Sequence, residues 1–219
     1  TVGSAKTVWM TATLDEERLN AVDATRARTR LPFDATNDPS LLVRTQAKKK
    51  LEKASASASA SETTAVADEI AQQHVPGTLT LVVVNRVARA QELFALIEKA
   101  QAGERRALIH SRFRPSDRGP QQAEALSKSF AGIVVATQAI EAGVDISART
   151  LFTELAPWSS LVQRFGRLNR AGEWKSDEAR AFWIDFDTSD QKRAKEMARP
   201  YEIADVEKAR SRLGTLTDV

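Results

Sequence analysis

Residues 132–146 read GIVVATQAIEAGVDI. Ile133, Val134, Val135 and Ala136 form the short, β-branched apolar run expected of a strand buried on both faces of a parallel sheet. The run leads into Thr137 and Gln138, at the strand's carboxyl end, where parallel sheets present polar groups to ligands. Glu141-Ala142-Gly143-Val144-Asp145 then offers a glycine for close backbone approach and a carboxylate suited to a sugar hydroxyl. Alone, this is a strand, a turn and a satisfied Asp.

The segment at 156–172, APWSSLVQRFGRLNRAG, changes the weighing. It sets Arg164, Arg167 and Arg170 three residues apart, with Gln163 ahead of the first. If Ser159 or Ser160 caps a helix, this spacing places the guanidiniums along one helical face. Gly166 inside such a helix costs about 1 kcal/mol against Ala. A helix that accepts clustered like charges and a glycine is expected to meet a polyanion, because guanidiniums bind phosphate oxygens bidentately. A solvated basic face is the bland reading of one such segment. Two such blocks at short spacing favour a ligand site.

Outward from these blocks, strands and helices alternate. Strands are expected at 79–84, 107–110, 149–153 and 181–185. Helices are expected at 87–100, with Leu93, Phe94 and Ile97 inside, and at 121–129. Val66, Ile70 and Val75 mark a further helix stopped by Pro76-Gly77. This order implies an α/β fold, a parallel sheet flanked by helices and joined by right-handed crossovers. Residues 191–213 read as one or two amphipathic helices, with Ile203, Val206 and Leu213 apolar. The ASASASAS tract at 54–61 has nothing large to bury and reads as a flexible tether or frayed helix end. The polar, basic stretch before it, with Arg44 and Lys48-Lys49-Lys50, reads as a solvated linker.

The 219 residues suffice for one α/β domain with a full core and an appendage. Without cysteine, disulfides and thiolate metal sites are excluded. No apolar run approaches the ~20 residues that span a bilayer, and an intracellular, cytoplasmic protein is expected. Thirty-two basic against 29 acidic residues leave a net charge of +3, so any nucleic-acid surface is a local patch. Ser111, Arg112 and Arg114 end a strand and, with Arg118, form a candidate basic loop for a phosphate backbone. Thr137 and Gln138 are candidate donors to the same backbone, and Asn85 either caps the next helix or contacts it directly. Among the four tryptophans, Trp158 adjoins the arginine segment. His74 and His110, far apart in sequence, read as ordinary polar residues, so no metal site is expected.

VATQAIEAGVDIS resembles motif V and QRFGRLNRAG resembles motif VI of superfamily 2 helicases, both carried by their second RecA-like domain. Trp9-Met10-Thr11-Ala12-Thr13-Leu14 resembles motif III, which closes the first RecA-like domain. ALIHSRFRPSDR, LVVVNRVARAQELF and NRAGE are similar to one branch, the CRISPR-associated helicase–nuclease of type I systems. The resemblance implies a division into residues 1–14, the last strand of a first motor domain; 15–65, a linker; 66–187, the second RecA-like domain; and 188–219, a helical extension. It implies ATP as the bound nucleotide, with Mg2+ held mainly by the first domain. Gln163 would sense the γ-phosphate, Arg167 and Arg170 would act as arginine fingers, and Gly143 and Asp145 would meet ribose and phosphates. Arg164 would instead pair with a carboxylate such as Glu141. Asn85, Ser111, Arg112, Arg114, Thr137 and Gln138 would face single-stranded DNA. Implied partners are the N-terminal RecA-like domain, a metal-dependent nuclease domain and a CRISPR RNA-guided surveillance complex, with no membrane.

No G-x-x-x-x-G-K-[ST] occurs. Asp68-Glu69 and Asp177-Glu178 follow no apolar strand and read as helix-surface carboxylates. The chain is thus expected to be the C-terminal half of a helicase core, inactive alone. Rival readings are a motor half from another superfamily 2 branch (an RNA helicase or branch-migration translocase), a non-catalytic nucleic-acid-binding module, and a protein-interaction scaffold.

Overall fold

A computed structural model describes residues 39–100, 103–110, 120–127, 129–141 and 143–219. The segment resembling motif III, and Ser111, Arg112, Arg114 and Arg118, lie outside the described residues. The strands are β1 (Lys50–Lys53), β2 (Leu79–Val83), β3 (Arg106–Ile109), β4 (Gly132–Ala136), β5 (Thr150–Glu154) and β6 (Arg180–Ile184). They form one six-stranded sheet in the order β1-β6-β5-β2-β4-β3, and every pairing is parallel. The helices are α1 (Pro39–Gln46), α2 (Thr63–Gln73), α3 (Val87–Ala100), α4 (Pro120–Ala125), α5 (Trp158–Phe165), α6 (Gln191–Ala198) and α7 (Ile203–Leu213).

Every residue of β2, β4 and β5 is buried, as central strands must be when helices cover both faces of a sheet. Leu81 lies between Val134 of β4 and Leu151 of β5. From α3, Leu93 and Ile97 reach full burial. Phe152 and Phe182 stack with ring centroids 4.7 Å apart across β5 and β6. The expected α/β architecture, a RecA-like parallel sheet flanked by helices, is the one observed. Its central carboxyl edge gathers the ends of β2, β4 and β5, which carry Asn85, Thr137 and the Leu155-Ala156-Pro157 lead into α5.

Two expectations are corrected. The ASAS tract is packed: Ala54, Ala56 and Ala58 are buried, and the Ala54 and Ala58 N–H groups donate to Trp183 and Asp185 carbonyls over 2.9 and 2.7 Å. Glu69 accepts from the Ser55 and Ala56 amides at 2.9 to 3.1 Å, and Glu62 accepts from Ser57 at 2.6 Å. Composition suggests a tether, but alternating Ala and Ser is also a period-2 pattern that turns small apolar groups inward along an extended edge. The linker reading fails at the same place, because β1 joins the sheet beside β6.

The C-terminal helices close on the domain. Arg210 donates to Asp185 at 2.8 Å and to the Phe186 carbonyl at 2.6 Å. Arg212 lies 3.9 Å from the centroid of the Trp158 ring. The chain then returns to β1, where Leu51 N–H donates to Thr217 at 2.9 Å.

Candidate functional site

Beyond β4, Thr137 leads into a 3-10 turn at Gln138–Ile140. Gly143 follows with φ +72°, where an added Cβ meets nothing within 4 Å. This left-handed turn therefore needs glycine for its backbone conformation, and its open side is available to a ligand. Asp145 stands exposed two residues on.

The segment opposite departs from expectation. Pro157, and neither Ser159 nor Ser160, takes the N-cap position of α5, and Gly166 takes the C-cap at φ −64°, ψ −8°. Gly166 thus stops the helix instead of weakening its interior. A Cβ there would sit 3.3 Å from the carbonyl oxygens of both Val162 and Gln163, a tight fit that favours glycine. Arg164 is on the helix, while Arg167 and Arg170 lie in the turn after it, so the three share no single helical face.

That turn is fastened to the end of the Gly143 segment. Ala148 N–H donates to Arg167 O, and Asn169 N–H to Ala148 O, each over 2.8 Å. Ser147 Oγ accepts from the Arg170 amide at 2.8 Å. Asn169 holds φ +45°, a conformation Asn tolerates better than most residues. Its side chain brackets Trp174, donating to the carbonyl at 2.9 Å and accepting from the amide at 3.0 Å.

The arginines occupy three environments. Arg164 has no solvent exposure and spends all five guanidinium donors. Nε meets Glu141 at 2.8 Å, Nη1 meets Thr153 Oγ1 at 2.9 Å and Glu154 O at 3.1 Å, and Nη2 meets Asn85 Oδ1 at 3.1 Å and Tyr201 OH at 3.2 Å. The expected pairing with Glu141 is therefore present. Arg167 is buried and donates to two carbonyls, Ile140 at 3.3 Å and Glu141 at 2.8 Å. Burial, with the Arg170 charge nearby, draws its pKa below the ordinary guanidinium value, and Asp145 opposes the shift. Arg170, one-third exposed, donates to Asp145 Oδ1 over 2.8 Å and to Gly166 O over 3.3 Å. Gln163 is half-buried on α5, and its side chain makes no hydrogen bond among the described residues.

The residues expected to face nucleic acid are less open. Asn85 is 5% exposed. Its Nδ2 donates to Leu155 O at 2.7 Å and its Oδ1 accepts from Arg164. It ties β2 to α5, as neither a helix cap nor a surface contact. Thr137 is 1% exposed, so its hydroxyl is inside. Gln138 is half-buried and donates to Asn85 O at 2.9 Å. Sequence reasoning did not single out Glu154, Thr153 or Tyr201. Glu154 accepts from the Asn85 amide at 2.8 Å and from Arg89 Nε at 3.3 Å, all buried. A charged residue ending an apolar strand was its one signal. Tyr201, the only tyrosine in the chain, carried none. Asp177-Glu178 sits in a turn before β6, where Glu178 accepts from Lys175 N–H, and not on a helix.

Residues 76–173 match the family model described as CRISPR-associated nuclease/helicase Cas3, C-terminal. The CRISPR-associated helicase Cas3 of Thermoproteus tenax is 35% identical over 101 residues, covering 44% of this chain and 17% of that protein. The CRISPR-associated nuclease/helicase Cas3 of Haloferax volcanii is 46% identical over 71 residues, covering 31% of this chain and 8% of that protein. The chain thus spans less than a fifth of these relatives' length. In fold it is similar to the crystal structure of T. fusca Cas3-AMPPNP, with a TM-score of 0.61 and 20% identity over 89% of this chain and 23% of that one. In sequence over residues 76–173, and in fold, the chain is similar to the C-terminal, second RecA-like domain of superfamily 2 helicases of the Cas3 kind.

Proposed function

We propose that this chain is the second motor domain of an ATP-driven helicase of CRISPR interference, forming one wall of a nucleotide cleft whose other wall is a preceding RecA-like domain. The observation that carries the reading is the Arg170–Asp145 ion pair at 2.8 Å, which joins the arginine-bearing turn to the Gly143 turn. A phosphate oxygen engaging Arg170 brings the nucleotide beside Asp145, whose carboxylate is suited to a ribose hydroxyl. Arg167 and Arg170 then stabilise charge on the transferring phosphoryl group, an effect worth about 10³ or more in rate. Gln163, with its amide uncommitted among the described residues, meets the γ-phosphate. Gly143 lets phosphates approach the backbone. Arg164, with every donor spent, holds the helix in place and does not touch the ligand.

ATP is the substrate. A Mg2+ accompanying the nucleotide is assigned mainly to the preceding domain. Single-stranded DNA is assigned to Gln138 at the carboxyl edge of the sheet and to the arginines at 112 and 114. Such contacts read the backbone and tolerate any sequence. The partner nuclease domain and the RNA-guided surveillance complex follow from the same reading. Comparing DNA-stimulated ATP hydrolysis by the full-length protein with that of this 219-residue chain tests it. Turnover is expected from the former only, and robust turnover by the chain alone contradicts the half-motor reading.

A further inference from the structure

We infer that Lys49 is a third cationic ligand of the polyphosphate site formed by Arg167 and Arg170, an inference that rests on the nucleotide reading above. Lys49 lies just before β1. Its carbonyl accepts from Val219 N–H at 3.0 Å, and the next amide, Lys50 N–H, donates to Ala179 O at 2.9 Å. Fixed on both sides, it extends its side chain to α5, where Nζ donates to Phe165 O over 3.1 Å. Phe165 is the last residue of α5, immediately before the Gly166 stop and the turn bearing Arg167 and Arg170. The ammonium thus sits at the negative end of the helix dipole.

The local charges do not balance. Among the described residues, Lys49 and Arg167 meet only carbonyl oxygens, those of Phe165, Ile140 and Glu141. Arg170 has a carboxylate partner, the half-exposed Asp145, whose charge also acts on Arg167. Cations withdrawn from water are ordinarily paired, so this cluster suits an anion carrying several charges. Burial and the Arg170 charge both lower the Lys49 pKa. Asp177 and Asp218 line the same shallow hollow as Lys49, yet the net shift remains downward. One ammonium proton is committed to Phe165, and two remain for phosphate oxygens. The flanking Lys48 and Lys50 are exposed and resemble ordinary surface lysines.

The test uses the 219-residue chain with ¹³C,¹⁵N-labelled lysines, which leaves all three ammonium protons in place. The Lys49 resonance is assigned by its loss in Lys49→Arg. Its titration midpoint is expected below the ordinary lysine value, to rise in Arg170→Gln, and to rise on addition of inorganic tripolyphosphate. Lys49→Gln is expected to weaken tripolyphosphate binding roughly three- to five-fold, as loss of one solvent-accessible ion pair would, with Lys49→Arg retaining most of it. Equal responses of Lys48, Lys49 and Lys50 to tripolyphosphate overturn the inference, whether or not the Gln variant folds. If Arg170→Gln weakens tripolyphosphate binding while Lys49 does not respond, only the Lys49 inference fails. If neither residue matters to tripolyphosphate, the nucleotide reading fails with it.

Discussion

The Arg164 guanidinium donates to the Glu141 carboxylate over 2.8 Å with no exposure to solvent, and this contact divides labour among three arginines that look alike in the sequence. Arg164 binds the turn after β4 to α5, β5 and β2. The two arginines that follow are thereby left on a rigid support, Arg170 partly in solvent.

Arg164→Met is therefore expected to cost stability before it costs chemistry. The substitution strands Glu141, Thr153 and Asn85 acceptors beside an apolar side chain. Removing one member of a buried ion pair typically costs about 3–5 kcal/mol. Because Glu141 keeps some exposure, the lower end is expected. Thermal unfolding measures it, and a loss under about 1 kcal/mol contradicts the hub assignment.

Two glycines with left-handed backbones separate conformational strain from steric conflict. Gly77 has φ +78° with open space where a Cβ would be, whereas a Cβ at Gly132, φ +141°, would lie 2.2 Å from the Arg105 carbonyl oxygen. Gly77→Ala is expected to cost about 1 kcal/mol. Gly132→Ala must also push β4 away from the segment preceding β3, so it is expected to cost clearly more. Equal losses in denaturant unfolding would remove the close-approach argument.

The Ala-Ser tract gives a face-specific prediction. Ala58→Lys places a charge at a 2% exposed site and is expected to destabilise by more than about 2 kcal/mol. Ser55→Lys, exposed beside Glu69, is expected to be near neutral. Hydrogen bonds from the Ser57 amide and hydroxyl hold the Glu62 carboxyl below its usual value. A depressed carboxyl contributes above its unfolded pKa and loses that contribution as pH falls through the folded one. The Ser57 amide resonance should therefore titrate with a midpoint below that of an unperturbed Glu. A midpoint at or above the usual value contradicts the tie.

Single-stranded DNA binding by the chain is expected to be weak, indifferent to sequence and steeply salt-dependent through counterion release. Replacing Arg112 and Arg114 together should weaken it alike for all sequences and flatten the salt slope. An unchanged slope removes these two arginines from the DNA surface.

The sheet was legible because Ile133–Ala136 and Leu79–Val83 are unbroken apolar runs, and burial on both faces leaves such runs few alternatives. β1 was not, since Lys-Leu-Glu-Lys at an edge has one buried residue, Leu51, and no pattern of its own. The tract after it is ambiguous in composition, and the deciding partners, Trp183 and Asp185, are more than a hundred residues away. Within the candidate site, spacing grouped the arginines but placed them on one helix, because Gly166 reads equally as a tolerated interior residue or as a stop. Asn85 and Thr137 lie at the expected strand ends, but only tertiary packing shows that Arg164 and burial occupy them.

Arg170→Ala in the full-length protein tests the central claim most directly, with DNA-stimulated ATP hydrolysis and nucleotide binding measured on the same variant. A finger acts mainly where charge develops, whereas the nucleotide is held mostly by the opposite domain. Turnover and unwinding should therefore fall by about 10³ or more while ATP affinity stays nearly unchanged. Lys should rescue poorly, because one ammonium cannot reproduce the planar fork. Near-normal turnover with only a modest loss of DNA affinity would show that Arg170 belongs to a basic surface and would contradict the account.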